Sequence, residues 1–337
     1  MKTVIIGCGA IAGRWLRGLA ADPRVEVAAF IDTDTRAASA LAQRFGSTAP
    51  VFSCLPQALT ELSGAEVAVN LTPIEHHTTI TGTALRAGLH VLTEKPVALT
   101  LAQAHTLVET ARMNGRMLAV MQNRGHDPGL AALRGRLHAS SHGPLLVRAE
   151  TMVTLHRPGF RAHLPHPVTA DLAPHAFDQI RQLVKAPPIR VRCTETPLRF
   201  LGGHCALSTV DVEFADGSVF TYRGGYTTAR PLRTSANGRW HVEGADLAAS
   251  WDGDTTIIHG SPSDTEHHAM HLPDTPPAYR QCLSGMIDAL HHTPPNAVHP
   301  AHTVADSLES TALLEAALTS AVTGTPAPVP STHQVPR

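Results

Sequence analysis

The first 122 residues alternate between short apolar runs and segments with helical spacing. Each run is long enough for a buried strand but too short for a helix, and the segments between them place apolar residues three and four positions apart. Strands that alternate with helices in this rhythm form a parallel sheet with helices on both faces. We therefore predict an α/β domain over residues 1–122, with strands at residues 3–6, 25–31, 51–52, 67–71, 90–92 and 117–121.

The pattern changes after residue 122, where predicted strands follow one another with fewer helices between them. Residues 209–214 alternate strictly between polar and apolar, so one face of this strand is buried and the other is polar. Asp216-Gly217 predicts a hairpin turn. We predict a second domain, residues 123–337, built as an open, mostly antiparallel α+β sheet. Its strands are at residues 145–153, 189–193, 208–214 and 219–222, its closing helices at 278–291 and 303–323, and a frayed tail begins at residue 325.

Composition places the chain among soluble globular proteins, with 43% hydrophobic and 16% charged residues. A formal net charge of −1 gives no basic field for nucleic acid or a membrane surface, and no apolar stretch approaches the ~20 residues of a membrane span. Glycines interrupt the apolar run after Lys2, so we expect no signal peptide. The five cysteines are scattered without a C-x-x-C pair, which predicts free thiols in a cytoplasmic protein.

The 22 histidines raise the question of a metal site. The densest group, Glu266-His267-His268 followed by His271, lies in a segment rich in proline, serine and aspartate. This composition predicts a loop, which offers no scaffold to hold metal ligands. We therefore expect no metal in this protein.

Candidate chemistry begins directly after the first strand, where the sequence has the form G-x-G-x-x-A. Gly7 allows a tight turn, Gly9 lets a pyrophosphate approach the backbone, and Ala12 lets the helix pack on the strand. Phosphates bind at the positive N-terminus of such a helix. Asp32 ends the second strand, where a carboxylate accepts hydrogen bonds from the adenosine ribose. Together these features predict a dinucleotide-binding Rossmann domain.

Asp32 also bears on which dinucleotide binds. Its carboxylate accepts hydrogen bonds from a free 2′-hydroxyl and would repel a 2′-phosphate. Thr33 and Asp34 follow it, and Arg36 is the only nearby cation that could hold a phosphate. We predict NAD(H) as the cofactor, with NADP(H) as the alternative.

Lys95 is one of three lysines in the chain and follows the predicted strand at residues 90–92. Ligands of wound sheets bind at the carboxyl ends of the strands, so an ammonium there can hold a ribose or a substrate hydroxyl. A surface lysine in a strand-to-helix loop explains this position equally well.

A second cluster of chemistry-bearing residues lies in the predicted second domain. If the segment is helical, Asp171, His175 and Asp178 lie on one face. A carboxylate and an imidazole one turn apart can jointly hold and deprotonate a hydroxyl. The alternative is structural: Pro174 is tolerated only in a first turn, so Asp171 would cap the helix and His175 would be a surface residue.

Four motifs occur in one order along the chain: Gly-x-Gly-x-x-Ala, Thr72-Pro73-x-x-x-His77, Glu94-Lys95-Pro96 and Asp171-x-x-x-His175-x-x-Asp178. In this order they resemble the glucose–fructose oxidoreductase/inositol dehydrogenase family over nearly the whole chain. The resemblance implies an N-terminal Rossmann domain and a C-terminal mixed-sheet domain whose outer face mediates homo-oligomers, a dimer or a tetramer. It places Lys95, Asp171 and His175 at catalytic positions and favours a cis Lys95–Pro96 peptide. The motifs and the resemblance together predict a cofactor-binding set of Gly7, Gly9, Ala10, Ile11, Ala12, Asp32, Thr33, Thr72, Pro73, His77, Glu94, Lys95 and Pro96.

Two departures from the family pattern concern the ligand sites. Ile74 stands where the family commonly has an asparagine after Thr-Pro, which removes one expected hydrogen bond on the cofactor side. Residues 166–169 replace the paired glycines that are frequent before the aspartate, so we expect an atypical substrate pocket.

The resemblance implies an NAD(P)-dependent dehydrogenase or reductase that acts on a secondary alcohol or ketone of a sugar-like or polyol small molecule. Two alternatives remain open: reduction of a keto or imine intermediate in a biosynthetic pathway, and a non-catalytic NAD(P)-binding sensor, against which the intact Lys95, Asp171 and His175 argue. Four basic residues upstream of the Asp/His segment fit either an acidic or phosphorylated substrate or a solvated loop: Arg157, Arg161, His163 and His166.

Overall fold

The computed structural model describes residues 1–140, 143–154, 159–199, 205–227, 230–261, 268–272, 278–292 and 304–332. Within these ranges, none of the helices combines the length and the apolar character that crossing a membrane requires. The chain divides into two compact units: the first contains Met1–Gln122 and Arg280–Leu308, and the second contains Asn123–Tyr279 and Glu309–Gln334. The segment Arg280–Leu308 thus groups with the first unit rather than with the rest of residues 123–337. The assignment of cofactor and substrate roles to the two parts stays a prediction.

The first unit contains a six-stranded sheet in which each described strand pair is parallel. The strand order is β3-β2-β1-β4-β5-β6, and the connections are helices, as the alternating pattern predicts. Its strands are β1 (Lys2–Ile6), β2 (Glu26–Ile31), β3 (Val51–Phe52), β4 (Val67–Asn70), β5 (His90–Thr93) and β6 (Leu118–Val120). Its helices are α1 (Ala12–Leu19), α2 (Thr35–Arg44), α3 (Leu55–Glu61), α4 (His77–Arg86) and α5 (Leu101–Met113).

Burial on both faces of this sheet explains why its strands are continuously apolar. Val4 and Ile5 on β1 and Val69 on β4 are completely buried, although neighbouring side chains of a strand point to opposite faces. The helices begin at local signals: the Thr100 side chain accepts a hydrogen bond from the Gln103 backbone N–H at the start of α5. The doubly wound α/β prediction is confirmed.

The second unit is organised around a nine-stranded sheet in the order β14-β13-β12-β11-β7-β10-β9-β8-β15. Of the described pairs, β7 and β10 run parallel and the others antiparallel, which confirms the predicted mostly antiparallel sheet. Its strands are β7 (Leu146–Thr154), β8 (Pro188–Pro197), β9 (Ala206–Phe214), β10 (Val219–Thr227), β11 (Arg239–Glu243), β12 (Ala248–Trp251), β13 (Thr256–Gly260), β14 (His268–His271) and β15 (Ala327–Pro328). The remaining helices of the chain are α6 (Pro128–Ser140), α7 (Pro167–Asp171), α8 (Ala173–Leu183), α9 (Ala278–His292) and α10 (Val304–Thr323).

Strand β9 has the alternation that its sequence predicts. Val210, Val212 and Phe214 are buried, whereas Asp211 and Glu213 between them are partly exposed. The β9–β10 hairpin turns at Gly217, whose φ of +90° is costly for other residues. One face of β9 is therefore core and the other is available to solvent or to a partner.

Two predictions about this region are wrong. His268–His271 forms the edge strand β14 instead of a loop, whereas Glu266 and His267 lie outside the described residues. The tail is not frayed throughout, because Ala327 and Pro328 pair with Val191 and Arg190 of β8. Strands of two to five residues carry little periodicity of their own, and a neighbouring strand supplies their hydrogen bonds. The same reason explains why strands β11, β12 and β13 escaped sequence analysis.

The alternation along β9 predicts very different costs for two adjacent truncations. Phe214→Ala removes a buried ring and should lower stability by about 3–5 kcal/mol. Glu213→Ala removes only a surface ion pair with Arg190 and should cost no more than about 1 kcal/mol. Thermal unfolding midpoints of the two variants check this order, and equal midpoints would contradict the assigned faces.

Candidate active site

The glycine motif forms a tight turn between β1 and α1. Gly7 has φ +89°, and its backbone N–H donates to the Ile31 carbonyl oxygen at 2.8 Å. A Cβ on Gly7 would lie 2.7 Å from the carbonyl carbon of Leu71, so only glycine fits. A Cβ on Gly9 would meet nothing within 4 Å in the described part of the chain. The turn therefore presents open space at Gly9, directly before the N-terminus of α1, as a pyrophosphate requires.

Asp32 is fixed beside this turn. Its Oδ2 accepts a hydrogen bond from the Cys8 backbone N–H at 2.7 Å, and its Oδ1 accepts one from the Asp34 backbone N–H at 2.9 Å. The Thr33 hydroxyl lies 3.5 Å from the same Oδ1. Burial raises the pKa of the Cys8 thiol to about 12, so this side chain stays neutral beside the predicted phosphates. The residues present fit a dinucleotide with its ribose against Asp32.

Arg36, the nearby cation that could hold a 2′-phosphate, lies beside the Asp34 carboxylate. The Asp34 side chain accepts a hydrogen bond from the Arg36 backbone N–H and caps α2. The same Oδ1 lies 3.5 Å from the Arg36 Nε, in an ion pair exposed to solvent. Asp34 thus adds a second carboxylate near the end of β2, which favours a free ribose hydroxyl over a phosphate.

The loop after β4 is held by two buried polar side chains. Asn70 accepts hydrogen bonds at Oδ1 from the Thr72 hydroxyl, at 2.7 Å, and from the Thr72 backbone N–H, and its amide donates to Thr81. The His77 ring lies between two carbonyl oxygens, that of Thr72 at 2.8 Å and that of Pro96 at 2.7 Å. Burial lowers the pKa of His77, whereas the two carbonyl oxygens act in the opposite direction because they favour a ring that donates from both nitrogens. His77 therefore joins the loops that carry Thr72 and Pro96.

The Glu94-Lys95-Pro96 loop is held by Glu94. Its Oε1 accepts a hydrogen bond from the Trp15 indole N–H at 2.7 Å, and its Oε2 accepts one from the Lys95 backbone N–H at 3.1 Å. Trp15 is completely buried on α1. The Lys95–Pro96 peptide is cis, which confirms that prediction. Ile74 is buried in a short 3₁₀ turn after Pro73, where it supplies apolar packing in place of an amide.

The segment that carries Asp171 and His175 lies in the second unit. The structure contradicts the alternative in which Asp171 caps the helix of His175 and His175 is a surface residue. Asp171 is the last residue of α7, whereas α8 begins at Ala173, and among the described residues no side chain caps α8. Asp171 and His175 are 8% and 7% exposed, so His175 is not a surface residue. The helix breaks at Leu172 because Pro174 is tolerated only in a first turn. Asp171 therefore belongs to the helix before His175 rather than to the same one.

The Asp171 carboxylate is held by two residues outside its own helix. Its Oδ2 accepts hydrogen bonds from the Arg161 Nε at 2.6 Å and from the Tyr226 hydroxyl at 2.8 Å. Burial, followed by the charge of Asp171, raises the pKa of Tyr226, so this hydroxyl stays protonated and donates. Burial is the largest effect and opposes the charge of Arg161, but Asp171 and Tyr226 together outweigh it and raise the Arg161 pKa.

The short helix α7 is anchored by Glu195 of β8. The Glu195 carboxylate accepts hydrogen bonds from the backbone N–H groups of Val168 and Thr169, at 3.1 and 2.8 Å, and from the Thr169 hydroxyl at 2.7 Å. These N–H groups belong to the first turn of α7, where a carboxylate is favourable. Thr169 also lies 2.8 Å from the Ser208 hydroxyl. Glu195 thus fixes the helix that ends in Asp171.

Asp178, the last acid of the motif, has a different environment. Its side chain is buried and pairs with Arg181 one turn further along α8, at 2.8 Å. A side chain on Gly125 would collide with the Asp178 carboxylate, so the chain approaches it closely there. This carboxylate therefore belongs to the packing of α8.

Sequence reasoning missed several residues that hold the site. Trp15 and Glu195 carry no local signal, because their partners are distant in the chain. Asn70 bonds to nearby Thr72 and Thr81, but it ends a buried apolar strand, where its role has no pattern of its own. Tyr226 could have been found: Phe220, Tyr222, Gly224 and Tyr226 alternate along β10, but the glycine pair hid the continuation of the strand. Arg161 was singled out, whereas Arg157 lies outside the described residues. Within the described ranges, no group of three or more possible metal ligands occurs.

Comparison with known proteins places this architecture among oxidoreductases. Residues 1–122 match the model of an oxidoreductase family with an NAD-binding Rossmann fold. The chain is 27% identical over 273 residues to the uncharacterized protein y4oX of Sinorhizobium fredii, covering 74% of this chain and 72% of y4oX. It is 30% identical over 193 residues to 1,5-anhydro-D-fructose reductase of Ensifer adhaerens, covering 55% of this chain and 56% of the reductase.

A solved structure has the same fold over nearly the whole chain. It is an oxidoreductase from Agrobacterium radiobacter in complex with NAD⁺, L-tartaric acid and magnesium, with a TM-score of 0.84. The two chains are 16% identical, and the match covers 98% of each. At this identity the likeness concerns the fold, including the mixed sheet of the second unit.

Two glycine substitutions separate the folding role of the turn from its binding role. Gly7→Ala meets both a positive φ and the Leu71 carbonyl, so stability should fall by about 1–3 kcal/mol or more. Gly9→Ala adds a Cβ with no atom of the described residues within 4 Å, so it should leave the unfolding midpoint unchanged while weakening dinucleotide binding. Thermal unfolding and calorimetric NAD⁺ titration measure the two effects. Unchanged binding by a folded Gly9→Ala variant would contradict the assigned phosphate position.

Proposed function

Because this chain belongs to the glucose–fructose oxidoreductase/inositol dehydrogenase family of NAD(P)-dependent oxidoreductases, we propose that it transfers a hydride between nicotinamide and a secondary alcohol or ketone of a sugar-like or polyol substrate. One observation carries the proposal: Asp171 and His175 are nearly buried, and Asp171 does not cap the next helix. Polar groups held in this way are typical of reacting sites. A sensor without turnover has no use for them.

His175 is the proposed general acid–base. When the substrate alcohol is oxidised, the imidazole takes the hydroxyl proton, and in the reverse reaction it returns that proton to the carbonyl oxygen. An imidazole suits both steps because a ring nitrogen can accept a proton and return it. The nicotinamide, when bound, supplies the hydride acceptor or donor.

Asp171 and Lys95 complete the proposed catalytic set. The Asp171 carboxylate, oriented by Arg161 and Tyr226, accepts a hydrogen bond from the substrate hydroxyl and stabilises the charged imidazole. Lys95, whose loop is held by Glu94, binds the ribose and substrate hydroxyls, and its positive charge eases loss of the proton.

The proposed cofactor contacts follow the geometry of the first unit. Gly9, Ala10, Ile11 and Ala12 face the pyrophosphate, Asp32 and Thr33 bind the adenosine ribose, and Thr72, Pro73, Glu94 and Pro96 shape the nicotinamide side. Gly7 allows the turn. His77 acts by holding the Thr72 and Pro96 loops together, because both of its ring nitrogens lie against their carbonyl oxygens.

The proposal extends to assembly and location. The large apolar side chains of Leu146, Val219 and Ile258 are exposed on strands of the nine-stranded sheet, and Leu146 and Val219 are neighbours across β7 and β10. An exposed apolar patch of this kind is typical of a protein interface, so the protein forms a homo-oligomer, a dimer or a tetramer, through this sheet.

All five cysteines are free thiols, which suits the cytoplasm.

Replacing the proposed acid–base group tests the mechanism. His175→Ala should lower kcat by roughly 10²–10⁴-fold with little change in NAD(H) affinity, because only the proton transfer is lost. The matched control is His138→Ala, at an exposed histidine of α6, which should retain its activity. Steady-state kinetics with a polyol or ketone that the wild-type protein turns over give kcat for both variants. A folded His175→Ala protein with near-normal kcat would refute the assignment.

Cofactor preference tests the role of Asp32. The wild-type protein should favour NAD(H) in kcat/KM, and Asp32→Ala should lower kcat/KM for NAD(H) by roughly 10–100-fold because a charged acceptor is lost. The same substitution should lower kcat/KM for NADP(H) less, so the ratio of the kcat/KM values for NAD(H) and NADP(H) should fall. Asp34→Ala removes the second carboxylate and frees Arg36, so it should narrow the preference, although less than Asp32→Ala does. Glu109→Ala is the matched control, because it removes an exposed carboxylate of α5 and should keep the preference. A wild-type preference for NADP(H) would overturn this prediction.

A further inference from the structure

Arg161 presents a second donor edge beside the proposed catalytic carboxylate. Its Nε donates to Asp171 at 2.6 Å and lies 3.1 Å from the Tyr226 hydroxyl. Its guanidinium lies over the Phe160 ring, 4.6 Å from the ring centre, which orients its plane. Among the described residues no acceptor binds Nη1 or Nη2, and the side chain is 28% exposed.

The Nη edge of the Arg161 guanidinium has the geometry that binds a carboxylate. A guanidinium has five N–H donors, and the described contacts of Arg161 use only the one on Nε. The two Nη atoms form a planar fork that can donate two parallel hydrogen bonds to one carboxylate. Arg161 can therefore hold Asp171 on one edge and a ligand carboxylate on the other at the same time.

We propose that Arg161 binds a carboxylate of the substrate, so that the protein prefers hydroxy acids of the sugar-acid class over neutral polyols. The inference rests on the proposed function, in which Asp171 accepts a hydrogen bond from the reacting hydroxyl. Because Arg161 contacts Asp171 directly, the substrate carboxylate lies close to the oxidised carbon. The substrate is therefore an α- or β-hydroxy acid.

Charge favours a carboxylate over a phosphate. Arg161 already balances Asp171, and a phosphate dianion would bring about two further negative charges next to that carboxylate. A carboxylate brings one, on the edge of the guanidinium that faces away from Asp171. Phosphorylated sugars are thus expected to bind less well than sugar acids.

A role of Arg161 confined to holding Asp171 predicts a different pattern. Loss of that support with the positive charge retained would weaken acidic and neutral ligands equally, whereas loss of the Nη fork weakens only the acid, so Arg161→Lys separates the two roles. The informative quantity is therefore the ratio between D-gluconate and D-glucitol, which have the same carbon chain and differ in one carboxylate. Tyr226→Phe is the matched control, because it removes the other hydrogen bond to the same Asp171 oxygen and leaves the Nη fork intact.

The experiment measures this ratio in the NAD⁺-saturated protein by calorimetric Kd and by kcat/KM from nicotinamide absorbance. Wild type should favour D-gluconate by roughly 10- to 100-fold, the worth of a charge-assisted hydrogen-bond pair. Arg161→Met should abolish the preference, and Arg161→Lys, which keeps the charge but not the fork, should reduce it. Tyr226→Phe should lower activity on both ligands and leave their ratio unchanged. If Arg161→Met does not fold, the lysine variant alone decides.

The outcomes separate this inference from the proposed function. Turnover of D-glucitol as good as that of D-gluconate, or the same ratio in Arg161→Lys as in wild type, overturns the inference and leaves the proposed function standing. Tighter binding of D-glucitol 6-phosphate than of D-gluconate also overturns it. Arg161-dependent binding of D-gluconate without any turnover of the panel supports the carboxylate site and contradicts the proposed function.

Discussion

The Asp171 carboxylate is nearly buried, and burying a charge costs free energy unless an opposite charge and hydrogen-bond donors accompany it. Arg161 and Tyr226 meet this requirement from two other segments of the second unit. The Tyr226 ring also packs with Val168 and Leu172, on either side of Asp171 in sequence. The need to satisfy one carboxylate therefore brings a loop, a short helix and the end of a strand together.

Carboxylates hold the other loops in the same way. Glu195 binds the first turn of α7, Glu94 joins α1 to the Lys95 loop, and Asp32 joins the end of β2 to the glycine turn. Each accepts hydrogen bonds from at least one backbone N–H, a group that must find a partner when it is removed from water. Each loop thus has a defined position before any ligand binds. Such preorganisation is what hydride and proton transfer require of a site.

A substrate carboxylate on Arg161 would extend this arrangement by one group. The guanidinium would then connect Asp171 to the ligand, so the same side chain that orients the proposed catalytic carboxylate would select the substrate. Substrate preference and orientation of Asp171 would depend on different edges of one planar group. For this reason the preference for D-gluconate over D-glucitol reports on the Nη edge, whereas the overall rate reports on the contact between Nε and Asp171.

The sequence by itself determined the doubly wound first unit, the glycine turn with Asp32, and the Asp171 and His175 pair as candidates. The first two follow from local rules, strand length and a positive φ that requires glycine. Helical spacing singled out Asp171 and His175, although Pro174 separates them into two helices. Tertiary structure alone decided what surrounds them. Tyr226 is 55 residues from Asp171, and strands β11 to β15 exist because neighbouring strands complete their hydrogen bonds. No periodicity encodes such partners, because which donor meets a buried carboxylate depends on packing between distant segments.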